Sequence, residues 1–109
     1  MARKLIAVTA CATGVAHTYM AEKALLKAAR DMGVLMKVET QGATGIGHKL
    51  TPKDVQIGEA VIFATDTKVR EEERFDGQNI LQVNVSDPIK DAKKVISEAL
   101  AKADESDNA

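Results

Sequence analysis

The chain has little with which to stack bases, cross-link itself or cross a membrane. Its only aromatic residues are two Phe and one Tyr, and it has no Trp. That leaves no row of rings on which the bases of a single strand would stack. Fifteen Lys and Arg face sixteen Asp and Glu, a net charge of −1, so there is no broad basic field for a nucleic-acid backbone. One cysteine, Cys11, excludes an internal disulfide and a C-x-x-C redox pair. It suits a reducing cytoplasm. No segment approaches the roughly 20 apolar residues that a membrane-spanning helix requires. The start, "MARKLIAVTAC", faintly echoes a lipoprotein leader. Its apolar run from Leu5 to Ala10 is shorter than the roughly 7–15 residues of a leader core, and cleavage there would remove an expected central strand. The leader reading is rejected. There are no long repeats and no interior linker.

What is present fits one globular domain. The 109 residues are 45% hydrophobic and 28% charged, enough to bury about two thirds of the unfolded surface without staples. One domain is expected over residues 1–103, with 104–109 as a polar, disordered tail. "LIAVTA" (Leu5 to Ala10) is apolar throughout, as a strand covered on both faces is. Ala16 to Met32 follows as a helix: Met20, Ala21, Ala24, Leu25, Ala28 and Met32 recur at helical spacing, and Gly33 suits its C-terminal cap. "VLMKVET" (Val34 to Thr40) alternates, with Lys37 and Glu39 on the solvent side, and reads as a half-exposed edge strand. "GATGIGHKL" (Gly42 to Leu50) reads as a glycine-rich loop. It is a near miss to the nucleotide loop G-x4-G-K-[ST] and is rejected as one, since Leu50 follows Lys49. A short helix follows, with Thr51 as N-cap, Pro52 at N1, Asp54 at N3 and Gly58 as the stop. "AVIFAT" (Ala60 to Thr65) is a second doubly covered strand, and "ILQVNV" (Ile80 to Val85) an edge strand. Between them lies a charged loop or short helix in which Arg70 to Arg74 read as a solvated face. Asp87 and Pro88 open the last helix as N-cap and N1.

Strands and helices that alternate imply a parallel α/β sheet with helices on both faces. Doubly apolar strands belong in the middle, so right-handed crossovers give a four-stranded parallel sheet of order 2-1-3-4, a Rossmann-like or flavodoxin-like sandwich. The topological switch point falls between the two central strands. Ligands bind there, outside the carboxyl ends, and Cys11 stands at that place.

"CATGVAHT" (Cys11 to Thr18) joins the thiol to the helix through small residues. Such a loop lets backbone N–H groups converge on an anion, and the helix start adds unpaired N–H groups and a partial positive charge. Cys11 is the candidate nucleophile, and Thr13, Gly14, Val15, Ala16, His17 and Thr18 are the candidate phosphate-binding residues. The field favours thiolate, the nucleophilic form of sulfur. The string Cys-x5-His-Thr resembles the Cys-x5-Arg-Ser/Thr phosphate loop of small tyrosine phosphatases, with His17 where those carry the bidentate cation. A cradle without that cation suits a protein that keeps its phosphocysteine until an acceptor arrives. Asp66 ends a central strand, with either a turn or a site role; His48 is assigned none.

"VTACATGVAHTYMAEKAL", "VETQGATGIGHKLT" and "VIFATD" followed by "ERFDG" together resemble the fructose-type enzyme IIB of the bacterial sugar phosphotransferase system. The resemblance runs from Leu5 to about Leu100. It implies that a phosphohistidine on enzyme IIA passes its phosphoryl group to Cys11. Phosphocysteine would then pass it to fructose or a fructose-like sugar held by the membrane permease, enzyme IIC. The protein would be cytoplasmic, meeting the inner face of the membrane through the permease, with no metal or organic cofactor. The family usually carries Pro after the cysteine; Ala12 stands here and restores a backbone N–H. The competing readings are a small cysteine-dependent phosphatase and a non-enzymatic phospho-accepting regulatory domain.

Overall fold

Strand β1 (Lys4–Ala10) is the centre of the molecule, and every residue from Leu5 to Ala10 is buried. The computed structural model describes residues 3–12, 15–42 and 45–107. After β1 come α1 (Val15–Met32), β2 (Leu35–Gly42), β3 (Gly45–Gly47), α2 (Pro52–Ile57), β4 (Val61–Thr65), a 3₁₀ turn (Glu72–Phe75), β5 (Ile80–Val83) and α3 (Ser86–Asp107). The two-residue period of β1 sends its side chains to two cores. Leu5 and Ala7 join Ile62 and Ala64 of β4 beneath Leu25, Ala28 and Ala29 of α1 and Val95, Ile96 and Ala99 of α3. Ile6 and Val8 join Val61 and Phe63 on the opposite face, under Val55 of α2, Leu50, Val69 and Phe75. Helices therefore cover both faces, two long ones on one side and α2 with the 3₁₀ turn on the other. Both phenylalanines are spent on the second core. Phe63 and Phe75 meet edge to face with centroids 5.3 Å apart, an arrangement that pins the 3₁₀ turn to β4.

The sheet has five strands in the order β3-β2-β1-β4-β5, which corrects the expected four. β1 pairs in parallel with β2 and β4, and β4 with β5. The extra strand, β3, runs antiparallel to β2, so β2 is not an edge. It was hidden because Gly45 and Gly47 weaken any strand signal. At Gly47 the glycine has a steric reason: a Cβ there would stand 2.6 Å from the Thr40 Oγ1.

β2 also departs from the alternation its sequence suggests. Val38, Glu39, Thr40 and Gln41 are all buried. Lys37 and Glu39 do share a face, but only Lys37 is exposed on it, because α2 and the 3₁₀ turn cover the rest. Lys37 Nζ lies 3.0 Å from Asp54 Oδ1, and Glu39 is fully enclosed.

The helix boundaries follow their capping chemistry. α1 ends in a Schellman motif: Gly33 sits at φ +71°, its N–H donates to Arg30, and the Val34 N–H donates to Ala29. Met20, expected in the core, is instead half exposed; the buried stripe runs through Ala21, Leu25, Ala28 and Ala29. α2 carries the full capping box, with Thr51 Oγ1 accepting from the Asp54 N–H and Asp54 Oδ2 accepting from the Thr51 N–H. The last helix opens one turn earlier than expected. Asn84 Oδ1 accepts from the Ser86 N–H and Asp87 Oδ2 from the Asn84 N–H, so Asn84 is the cap and Asp87 its N3 partner. α3 then breaks at Asp91 (φ −156°, ψ 80°), where Asp91 Oδ1 accepts from the Lys94 N–H and caps the longer second segment.

Candidate functional site

Two parallel central strands end side by side, with Ala10 of β1 opposite Thr65 of β4. The next residue on each chain segment carries the chemistry: Cys11 after β1 and Asp66 after β4. Their backbones are joined where the Asp66 N–H donates to the Ala10 carbonyl at 3.2 Å. The Cys11 side chain is partly buried. Its thiol donates to Asp66 Oδ2 at 3.3 Å, and the Ala12 N–H donates to Asp66 Oδ1 at 2.8 Å. The carboxylate thus takes one hydrogen bond on each oxygen from two successive residues. The Ala12 N–H, first of all, and the Cys11 thiol hold the Asp66 carboxyl below the usual carboxylate range. His17 approaches from α1, its Nδ1 3.8 Å from Cys11 Sγ.

α1 begins at Val15, so Val15, Ala16, His17 and Thr18 form its first turn. A helix leaves the N–H groups of that turn without intrahelical partners, and no acidic side chain in the turn competes for them. Ala16 and His17 are exposed, whereas Thr18 is buried. Among the described residues Thr18 Oγ1 has no hydrogen-bond partner. Thr18 borders a cavity of about 120 Å³ shared with Thr40, Gln41 and the β3 glycines. Thr13 and Gly14 lie outside the described residues. The structure therefore brings Cys11 and His17 together and places Thr18 against the β2–β3 ribbon.

Two features go beyond the expected phosphate loop, the first at Asp66, for which the sequence keeps a site role open. Asp66 is the direct partner of the thiol; its signal was its position, one residue past a doubly buried strand at the switch point. The other is a buried cluster on the neighbouring strand. Arg74, expected on a solvated face, reaches inward and pairs with Glu39 through two bonds of 2.8 and 2.9 Å. Gln41 Nε2 and the Leu50 N–H complete the Glu39 carboxylate. Gln41 in turn accepts from the Arg70 N–H. Burial pushes the Glu39 carboxyl up, but its bonds from Arg74, Gln41 and Leu50 outweigh that and hold it below its ordinary value. Gln41 is the residue opposite Ala10 in the β1–β2 register, so this cluster braces the loop after β4 against the strand beside Cys11. His48, left without a role, pairs with Glu22 of α1 at 3.2 Å.

Among the described residues no group of three His, Cys, Asp or Glu is arranged to hold a metal ion, and no helix is long and apolar enough to cross a membrane.

Residues 6–98 match the family described as the lactose/cellobiose-specific IIB subunit of the PTS system. The chain is 50% identical over 94 residues to the PTS fructose-like EIIB component 2 of Escherichia coli K12, covering 86% of this chain and 89% of that one. It is 47% identical over 97 residues to the fructose-specific EIIABC component of Bacillus subtilis, covering 89% of this chain but 15% of that much longer protein. The solution structure of the uncharacterized protein lmo0427 superimposes with a TM-score of 0.91 at 71% identity, covering 96% of this chain and 99% of the other.

Proposed function

The chain belongs to the IIB subunit family of the bacterial sugar phosphotransferase system, as a phosphoryl-transfer component of the fructose-like kind, and from that premise we propose that Cys11 Sγ is the atom that carries the phosphoryl group. One observation carries the assignment: the chain's only sulfur nucleophile stands at the carboxyl end of the central strand, partly exposed, just before the first turn of α1.

IIB components work with IIA and IIC components, which the Bacillus EIIABC protein joins in one chain by its name. In this reading the phosphohistidine of IIA is the donor. The acceptor is a fructose or fructose-like sugar held by the IIC permease at the inner face of the membrane, so the protein acts in the cytoplasm. Residues 1–103 serve as the single IIB domain. Backbone N–H groups from Thr13 through Thr18, Gly14 among them, donate to the phosphoryl oxygens. The partial charge of the α1 terminus favours that anion by about 0.3–1 kcal/mol. No metal or organic cofactor takes part.

The string Cys-x5-His-Thr resembles that of the small-phosphatase cysteine loop, here after the first strand of a flavodoxin-like sheet, with one difference of consequence. His17 occupies the place of the bidentate arginine, and a single imidazole does not reproduce its planar fork. Hydrolysis of the thiophosphate loses its fixed transition-state cation, which favours retention until the sugar arrives.

Incubation with phosphorylated IIA followed by mass spectrometry tests the carrier. A gain of about 80 Da, one phosphoryl group, is expected on the Cys11 peptide. It should be absent from Cys11→Ser. Modification of any other residue in the wild type would remove Cys11 from this role.

A further inference from the structure

We propose that Asp66 is the proton acceptor for the Cys11 thiol during phosphoryl transfer, oriented for that task by the Ala12 N–H. The inference rests on the carrier role given to Cys11 above.

The geometry sets two oxygens of one carboxylate to two different jobs. Oδ1 is anchored by the Ala12 N–H at 2.8 Å and Oδ2 accepts from the thiol at 3.3 Å. The anchor depends on the residue at 12. Proline has no N–H to give, and Ala12 does. The Asp66 backbone is itself fixed by its N–H to the Ala10 carbonyl. Carboxyl and thiol are thus held in register by the parallel β1–β4 ladder rather than by a mobile side chain alone.

The chemistry requires an acceptor in this place. In the forward step the S–P bond forms, the N–P bond of the donor phosphohistidine breaks, and the thiol proton moves to Asp66 Oδ2. It stays there, the released imidazole nitrogen takes its proton from solvent, and atoms and charge balance. The transfer also resolves an electrostatic conflict. A carboxylate 3.3 Å from sulfur would repel an arriving phosphoryl dianion. Once it has taken the proton it is a neutral acid that donates a hydrogen bond toward the phosphoryl oxygens. When the group leaves for a sugar hydroxyl, the acid returns a proton to the departing thiolate, and the hydroxyl proton goes to solvent.

Among the described residues, the titratable groups seen against Cys11 are Asp66 from the end of β4 and His17 from α1. His17 Nδ1 is farther from sulfur, at 3.8 Å, and its ring is exposed. It is the competing acceptor that the experiment must separate.

Single-turnover phosphoryl uptake from phosphorylated IIA is measured by mass spectrometry from about pH 6.5 to about pH 9.5 for wild type, Asp66→Asn and His17→Gln. An unassisted cysteine thiol ionises near pH 8.5, so only about 1% is thiolate at pH 6.5. Asp66→Asn keeps an acceptor for the Ala12 N–H but cannot take the proton. Its uptake should fall by about 100-fold at pH 6.5, the low end of what general bases contribute, and the deficit should close to under about threefold at pH 9.5. His17→Gln should show no such pH-dependent gap. A deficit in Asp66→Asn of the same size at every pH would make Asp66 a structural support only, and an unchanged or faster rate at pH 6.5 would overturn the proposal outright. A closing gap in His17→Gln alone would move the role to the imidazole. Wild-type protein that takes no phosphoryl group on Cys11 would instead fail the carrier reading, which the same wild-type spectra report separately.

Discussion

Glu39 is a carboxylate with no exposed surface on a strand whose sequence suggests that it faces water. Its charge is tolerable because every direction is answered: the Arg74 fork, the Gln41 amide and the Leu50 N–H all donate to it. Arg74 also lies 4.8 Å from the centre of the Phe75 ring, so its guanidinium is fixed from two sides. Removing the cation while leaving the buried anion should be costly. Arg74→Met is expected to lose about 3 kcal/mol in urea unfolding, the low end for an uncompensated buried charge, because Gln41 and Leu50 still donate. Glu39→Gln should lose less, about 1–2 kcal/mol, since the amide oxygen still accepts. The double variant should fall short of the sum. A loss below about 1 kcal/mol in Arg74→Met would mean that the pair is effectively solvated. The cluster also marks how far the site could be read from sequence. Cys11 was legible because a lone thiol ahead of a small-residue loop and a helix start is chemically specific. Asp66 was half legible, from its place after a doubly apolar strand. The Glu39–Arg74 pair was not, because partners 35 residues apart leave no local pattern, and a charged heptad such as Arg70 to Asp76 ordinarily faces water.

Single positions become elements where the backbone has to come close or turn sharply. β3 exists because Gly47 lets it lie against Thr40, its partner in the antiparallel register. Thr40 is buried and β-branched, so its side chain has few rotamers into which to retreat. Gly47→Ala should therefore destabilise by about 1–3 kcal/mol, the usual cost of overpacking. The same change in a Thr40→Ala background should cost much less, because the oxygen 2.6 Å from the new Cβ is gone. Equal costs in both backgrounds, measured by urea unfolding, would place the strain elsewhere. This contact explains why the fifth strand is not legible in the sequence while the central strands are. Doubly apolar β1 and β4 announce a central position through composition alone, and α2 announces its start through Thr51, Pro52 and Asp54. A strand whose glycines serve close approach carries the signature of a loop. The break in α3 was hidden for a related reason: Ile89, Ala92, Val95 and Ile96 keep a helical spacing across Asp91, and only the Asp91 bond to the Lys94 N–H discloses the second start.

Across the whole molecule the ion pairs of Arg3 and the reactive groups are separated by the length of the sheet. At its amino end Arg3, ahead of β1, bonds Glu59 before β4 and Asp104 in α3, which ties the first strand to the last helix. At the carboxyl end stand Cys11 and Asp66. Both ends share a dependence on ionised carboxylates. Arg3, by its hydrogen bond, holds Glu59 below its ordinary value. The Thr51 N–H and then Lys37 hold Asp54 below its own. Glu39 is lowered against its burial. A carboxyl that is more acidic folded than unfolded makes the unfolded chain the better proton binder in acid, so stability rises with pH there. The contribution is complete above the unfolded values, 4.5 for Glu and 3.8 for Asp, and is lost as pH falls through the folded ones. The urea midpoint is therefore expected to hold level from about pH 7 to about pH 5.5 and to fall steadily below about pH 4.5. Glu59→Gln should lower the plateau and make the acid fall shallower, because that proton no longer distinguishes the two states. Its phosphoryl uptake should match wild type, since it sits at the end of the sheet away from Cys11. A midpoint level from about pH 5 to about pH 3 would show that these carboxylates titrate alike in both states, and that the ion pairs at the amino end add nothing to the fold.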